Sequence, residues 1–177
     1  MKAHKGMRPH DIPILLKIIA VGNEPWMNKD LATSLQISAS EISDSISRSE
    51  YAGLIGSDRR TVQLKEVENF IRYGLKYVFP IKPGAVLTGK GTAQSAPTVR
   101  LDSPPTDHYV WPDPEGRQKG MIVIPLFPGA VYASGKDHRL YEMLALCDVM
   151  RLGTKKEIDV AARLLNNLIN YKQEPIR

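Results

Sequence analysis

The sequence predicts an α+β fold. A helical N-terminal half closed by a small hairpin is joined by a Pro/Gly-rich linker to a C-terminal β-hairpin and an antiparallel pair of helices. Three observations predict this layout. Apolar residues recur at helical spacing in several separated stretches, and short β-type runs flank two turn-like segments. Residues 80–107, in contrast, hold five prolines (80, 83, 97, 104 and 105) and glycines 84, 89 and 91 without periodicity. A stretch of that kind reads as a linker or functional loop. The expected divisions are therefore residues 8–78, a linker over 79–108, and a C-terminal module over 109–172.

The first helix spans about 8–22. Ile12, Leu15, Leu16 and Ile19 fall on one face, His10 or Asp11 can cap it, Pro13 is tolerated in the first turn, and Gly22 ends it. Asn28 precedes a second helix over about 29–36 with Leu31 and Leu35 inward. A short polar turn, Ile37-Ser38-Ala39-Ser40, leads to a third helix over about 40–52, capped by Ser38 or Ser40, with Ile42, Ile46 and Ala52 inward. Leu54-Ile55 and Thr61–Leu64 read as two short strands around the turn Gly56–Arg60. A fourth helix over about 65–77 presents Val67, Phe70, Ile71 and Gly74 at helical spacing.

Beyond the linker, Tyr109-Val110-Trp111 and Gly120–Ile124 flank the turn-like Pro112–Gly116 and suggest a hairpin. A helix over about 137–151 carries an apolar stripe of Leu140, Met143, Leu144, Cys147 and Met150. Gly153 stops it, and Thr154-Lys155-Lys156-Glu157 fits a capping box for a last helix. That helix buries Ile158, Ala161, Ala162, Leu165, Leu168 and Ile169, so the two pack as a helical hairpin.

The most specific segment is Leu31-Ala32-x-x-Leu35-x-Ile37-Ser38-x-Ser40-x-Ile42-Ser43-x-x-Ile46, followed by Tyr51-Ala52-Gly53-Leu54-Ile55. Ala32 lets two helices cross closely, Leu35, Ile37, Ile42 and Ile46 fill the wedge between them, and Gly53 lets the chain leave the third helix. Residues 8–77 thus resemble the winged helix-turn-helix of MarR-like bacterial regulators. The segment departs from that pattern at Gln36, where the family has glycine. The resemblance implies a third helix in the major groove with Ser38, Ala39, Ser40, Glu41, Ser43, Asp44, Ser47 and Arg48 outward. Lys29 joins this set. Arg48 would fork onto guanine, and Arg59 and Arg60 at the wing tip would track phosphate or reach a minor groove.

Glu41 and Asp44 place two carboxylates on that helix, which argues for binding as a dimer over two half-sites. The implied function is a sequence-specific regulator, a repressor, with double-stranded DNA as partner. The alternative is a protein–protein adaptor built on the same scaffold. The layout is also similar to antitoxin repressors encoded beside nucleotidyltransferase-type toxins, which implies a partner protein on the C-terminal half.

No catalytic constellation is expected, and neither a cofactor nor a metal. His4, His10, His108 and His138 are scattered, and Gly84–Thr92 lacks the spacing of a phosphate loop, so it reads as a flexible loop. Asp137, Arg139, Glu142 and Asp148 read as a solvated face with a helix cap. Tyr109, Trp111 and Phe127 read as core rather than as the lining of a ligand pocket. Cys147 is alone and reads as a buried, inert thiol. No apolar run approaches the ~20 residues of a membrane span. The basic start Met1–Lys5 leads to no signal-peptide core, so a cytoplasmic location is expected. The net charge of +5 permits a polyanionic partner.

Overall fold

A computed structural model describes residues 6–102 and 107–171. The expectations for Met1–Lys5 (with His4), Pro104, Pro105 and Lys172 lie outside those residues. The fold is α+β: helices pack around a small mixed sheet of three strands.

Three helices form the N-terminal part: α1 (Asp11–Val21), α2 (Asn28–Leu35) and α3 (Ala39–Tyr51). Ile12, Leu15 and Leu16 of α1 are buried against Leu31, Leu35, Ile42 and Ile46. Neither sequence candidate caps α1 in the ordinary way. His10 occupies the cap position without a side-chain bond, and the Asp11 carboxylate accepts from the Arg8 N–H at 2.7 Å while pointing into the protein. Ser38, of the two candidates, caps α3: its Oγ accepts from the Glu41 N–H at 3.2 Å.

The turn between α2 and α3 passes through Gln36 at φ 55°, ψ 42°. An L-residue in this left-handed region carries a steric cost of roughly 1–2 kcal/mol that glycine avoids. Gln36 is exposed, so Gln36→Gly should raise stability by about 1 kcal/mol, read as a shift in the urea midpoint with an unchanged slope. At the far end of α3, Gly53 (φ 75°) closes a Schellman motif. Its N–H reaches the Glu50 carbonyl at 3.0 Å, and the Leu54 N–H reaches the Ser49 carbonyl at 2.8 Å.

The expected two-strand wing is reduced to a single antiparallel bridge, Ile55 with Val62. The expected fourth helix follows over residues 64–78 as α4 (Leu64–Asn69), a π turn (Phe70–Gly74) and α5 (Leu75–Val78) in unbroken succession.

Residues 79–108 differ most from expectation. In place of a linker they contribute β1 (Val86–Thr92) and a 3-10 turn (Ala93–Ser95), so Gly84–Thr92 is mainly strand rather than flexible loop. β1 is antiparallel to both β2 (Tyr109–Pro112) and β3 (Gln118–Ile122), and its two halves serve different partners: residues 89–92 face β2, and residues 86–89 face β3. The expected hairpin between β2 and β3 is therefore corrected. These strands run parallel where they touch, Tyr109 beside Met121, and the sheet closes on itself. So tight a closure has no room for side chains at the crossing. A Cβ on Gly120 would stand 2.7 Å from the His108 carbonyl oxygen, and one on Gly89 would collide with that of Trp111.

The C-terminal part contains α6 (Ala130–Lys136), α7 (His138–Leu152) and α8 (Lys155–Asn170). Asp137 caps α7 by accepting from the Leu140 N–H at 2.9 Å, and the predicted capping box of α8 forms, with the Thr154 N–H donating to Glu157 at 2.7 Å. α7 is buried on every side from Met143 to Met150. It packs against α1, α5, α6, α8 and β1, so one core runs from Ile12 to Ile169.

The solvated face expected on α7 is not there. Asp148 is 1% exposed and accepts from Thr92 Oγ1 and Trp111 Nε1, each at 2.7 Å, and from Arg151 at 2.9 Å. Burial raises its carboxyl above the usual range, against the opposing pull of Arg151. Arg139 donates to the carbonyls of Leu168 and Tyr171 near the end of α8. Tyr109, Trp111 and Phe127 are core. Burial pushes the Cys147 thiol well up, which leaves it protonated and unreactive at neutral pH. Among the described residues, no helix is long and apolar enough to cross a membrane.

Candidate nucleic-acid interface

The residues singled out on α3 separate into two faces. Ser40, Ser43 and Asp44 are exposed and Ser47 is half-buried, while Ser38 and Ala39 are exposed at the start of the helix. Glu41 and Arg48 lie on a different flank. Seven residues is nearly two full turns, so both side chains stand over the same side of α3, toward α1.

Arg48 is the principal change from the sequence reading. It is 8% exposed, its Nε donates to Asp11 Oδ2 at 2.9 Å, and its Nη2 donates to Asp11 Oδ1 at 2.7 Å, a bidentate fork on a fully buried carboxylate. The same Nη2 reaches Glu41 Oε1 at 2.5 Å. The guanidinium that sequence assigned to a guanine is thus committed inside the protein. Its bonds to these carboxylates, Asp11 first, raise its already high pKa further against the opposing effect of burial.

Glu41 is drawn into the same cluster. His10 Nε2 lies 2.7 Å from Glu41 Oε1, and Arg8 lies 3.4 Å from Oε2. Partial burial works to raise the Glu41 carboxyl, but the bonds from Arg48 and His10 outweigh it and hold it below its ordinary value. Its charge is neutralised within the fold. His10, Asp11 and Glu41 have the residue types and closeness of a metal site, but the Arg48 cation already occupies the space between them.

The wing tip is organised by Asp58. Its carboxylate accepts from the Thr61 hydroxyl at 2.5 Å, from the Thr61 N–H at 3.0 Å and from the Arg60 N–H at 2.9 Å, which lowers its pKa to about 2. Arg59 takes a left-handed conformation at φ 55°. Its Nε meets Glu50 at 2.6 Å with the arginine side chain 56% exposed. Arg60 donates to the Trp26 carbonyl at 2.7 Å, and its guanidinium lies 4.3 Å from the centre of the Trp26 ring. Wing, α3 and the α1–α2 loop are thereby fixed to one another.

Between them lies a groove of about 290 Å³ lined by Asn28, Ser43, Ile46, Asp58, Arg59 and Arg60. A second hollow of about 440 Å³ lies beside it, lined by Ser47, Glu50, Arg59, the exposed Tyr51 and an edge of the otherwise buried Arg48. Lys29 stands exposed at the start of α2. The structure therefore brings Ser43, Arg59 and Arg60 together around one groove and removes Glu41 and Arg48 from the outer face. Sequence reasoning passed over Asp11 and His10 as partners of Arg48, although the seven-residue spacing of Glu41 and Arg48 was a usable signal that the two act together.

Comparison of the chain with protein-family models, with curated proteins and with solved structures gives no match.

Proposed function

We propose that this protein is a sequence-specific DNA-binding transcriptional regulator that uses a winged helix-turn-helix and acts as a dimer. The observation that carries the reading is the shared groove. Ser43 and Ser47 of α3 line it together with the wing arginines, Ser40 and Asp44 share their helix face, and the Glu41 carboxylate is engaged by Arg8, His10 and Arg48.

Serine hydroxyls donate to phosphate or to base edges, and short side chains let a helix lie deep in a major groove. The Arg59–Glu50 pair is largely exposed, so phosphate can replace Glu50 as the partner of Arg59 at small cost. Asp44 remains an exposed acid on the reading face, suited to accept from a cytosine amino group. With so few cations on one copy, useful affinity needs two half-sites about one turn (~34 Å) apart.

Binding to duplex DNA across a salt series tests the reading. Affinity should fall steeply as salt rises, and Arg59→Ala with Arg60→Ala should weaken all sequences alike and reduce the slope by about 2. Absence of duplex binding at low salt would overturn it.

A further inference from the structure

The net charge of this chain is concentrated in one segment. Of 24 basic and 19 acidic residues, residues 69–101 contain Arg72, Lys76, Lys82, Lys90 and Arg100 and not a single acid. The rest of the chain has 19 of each and cancels. This segment runs from the end of α4 through the π turn and α5 to β1.

Two of its tyrosines face solvent on the π turn and α5. Tyr73 is 64% exposed and Tyr77 is 74% exposed. The Arg72 guanidinium lies 5.2 Å from the centre of the Tyr73 ring, and the Lys76 ammonium lies 5.4 Å from that of Tyr77. Each ring therefore carries its own cation, and Lys82 follows five residues later, also exposed. Among the described residues, the acid paired with this strip is Asp159 of α8, 3.1 Å from Arg72 in an exposed contact that a polyanion can displace.

Tyr73 in the π turn and Tyr77 in α5 follow one another by about one helical turn, where an α-helix sets Cβ atoms about 5–6 Å apart. That exceeds the about 3.4 Å between stacked bases of a duplex. Two rings so spaced fit consecutive bases that have been drawn apart, which an unpaired strand offers without the cost of unstacking a duplex. Exposed aromatic rings beside cations, with no neighbouring acid in sequence, are the elements of a single-strand platform: bases stack on the rings while phosphates meet the cations.

We propose that Tyr73 and Tyr77, with Lys76 and Lys82, form a second nucleic-acid surface that binds a single strand. It does not depend on the duplex reading of α3 and the wing. The test is fluorescence anisotropy of the full chain with a labelled mixed-sequence strand of roughly 12 nucleotides at about 50 mM salt.

Tyr73→Ala with Tyr77→Ala should weaken binding about tenfold or more, because each stacked base contributes substantially. Phenylalanine at both positions should keep it, since the ring face and not the hydroxyl does the binding. Lys76→Gln with Lys82→Gln should reduce the salt slope by about 1.4. The tyrosine pair should weaken single-strand binding far more than Arg59→Ala with Arg60→Ala does, and the reverse should hold for duplex, which separates this surface from the duplex site. Three results would overturn the proposal: no binding of the strand by the unaltered protein, equal binding by the double alanine variant, or a loss on lysine substitution alone with duplex preferred. The first leaves an acidic protein segment as the partner of this strip, and the last makes it a backbone contact to duplex.

Discussion

Arg48→Met is expected to destabilise the protein by about 3–5 kcal/mol, because it leaves the Asp11 carboxylate buried without its cation. Chemical denaturation measures this directly. Arg48→Lys should recover only part of the loss: an ammonium restores the charge but not the fork that meets both Asp11 oxygens. The pH dependence supplies a second readout. Glu41 is held below its ordinary value near 4.5, so its contribution to stability is present above that pH and is lost as pH falls through the lowered value. Arg48→Met removes the strongest of the bonds that lower it, so acid sensitivity in this range should flatten. A variant as stable as the original would show that the cluster contributes nothing.

The second large effect is at Asp148. Asp148→Ala should cost about 3–5 kcal/mol, since it strands the Trp111 indole N–H and the Thr92 hydroxyl in the interior and takes from Arg151 its carboxylate partner. Arg151 also donates to the carbonyls of Phe79 and Ile124, so the loss should spread to both the exit of α5 and the exit of β3. Asp148→Asn keeps an acceptor for Trp111 and Thr92 but turns an amide toward Arg151 or loses that contact. It should fall between the two. Denaturation followed by near-ultraviolet circular dichroism, which reports on the packing of the Trp111 ring, measures both variants.

The helices were legible in the sequence because each of them except α6 carries a one-sided apolar pattern or a polar cap. α3 and α8 have both, and their caps at Ser38 and Thr154 fall where the residues suggest, whereas α2 starts at Asn28 behind Met27, whose side chain makes no cap bond. The sheet was not legible. β1 contains glycines at 89 and 91 where an alternating pattern would place side chains, and the tight closure of the sheet is what requires them there. The parallel contact of β2 and β3 was equally hidden, since five residues between two short strands ordinarily make a hairpin.

On the site, the exposed serines of α3 and the wing arginines follow from helical phase and turn position. Arg48 does not, because a long charged side chain on the flank of a helix turns inward only when a buried acid awaits it. Asp11, which supplies that acid, reads from the sequence as a helix cap. The polar face expected on α7 failed for the same reason: Asp148 is satisfied by Trp111 and Thr92, partners far away in sequence.

α7, enclosed along eight consecutive residues, has a consequence for how this chain can be divided. Here the apolar surface of α1 is covered in part by α7, and α7 in turn is covered by the sheet. A cut between residues 78 and 138 opens the interior on both sides, so the N-terminal helices cannot be separated from the C-terminal half that supports them.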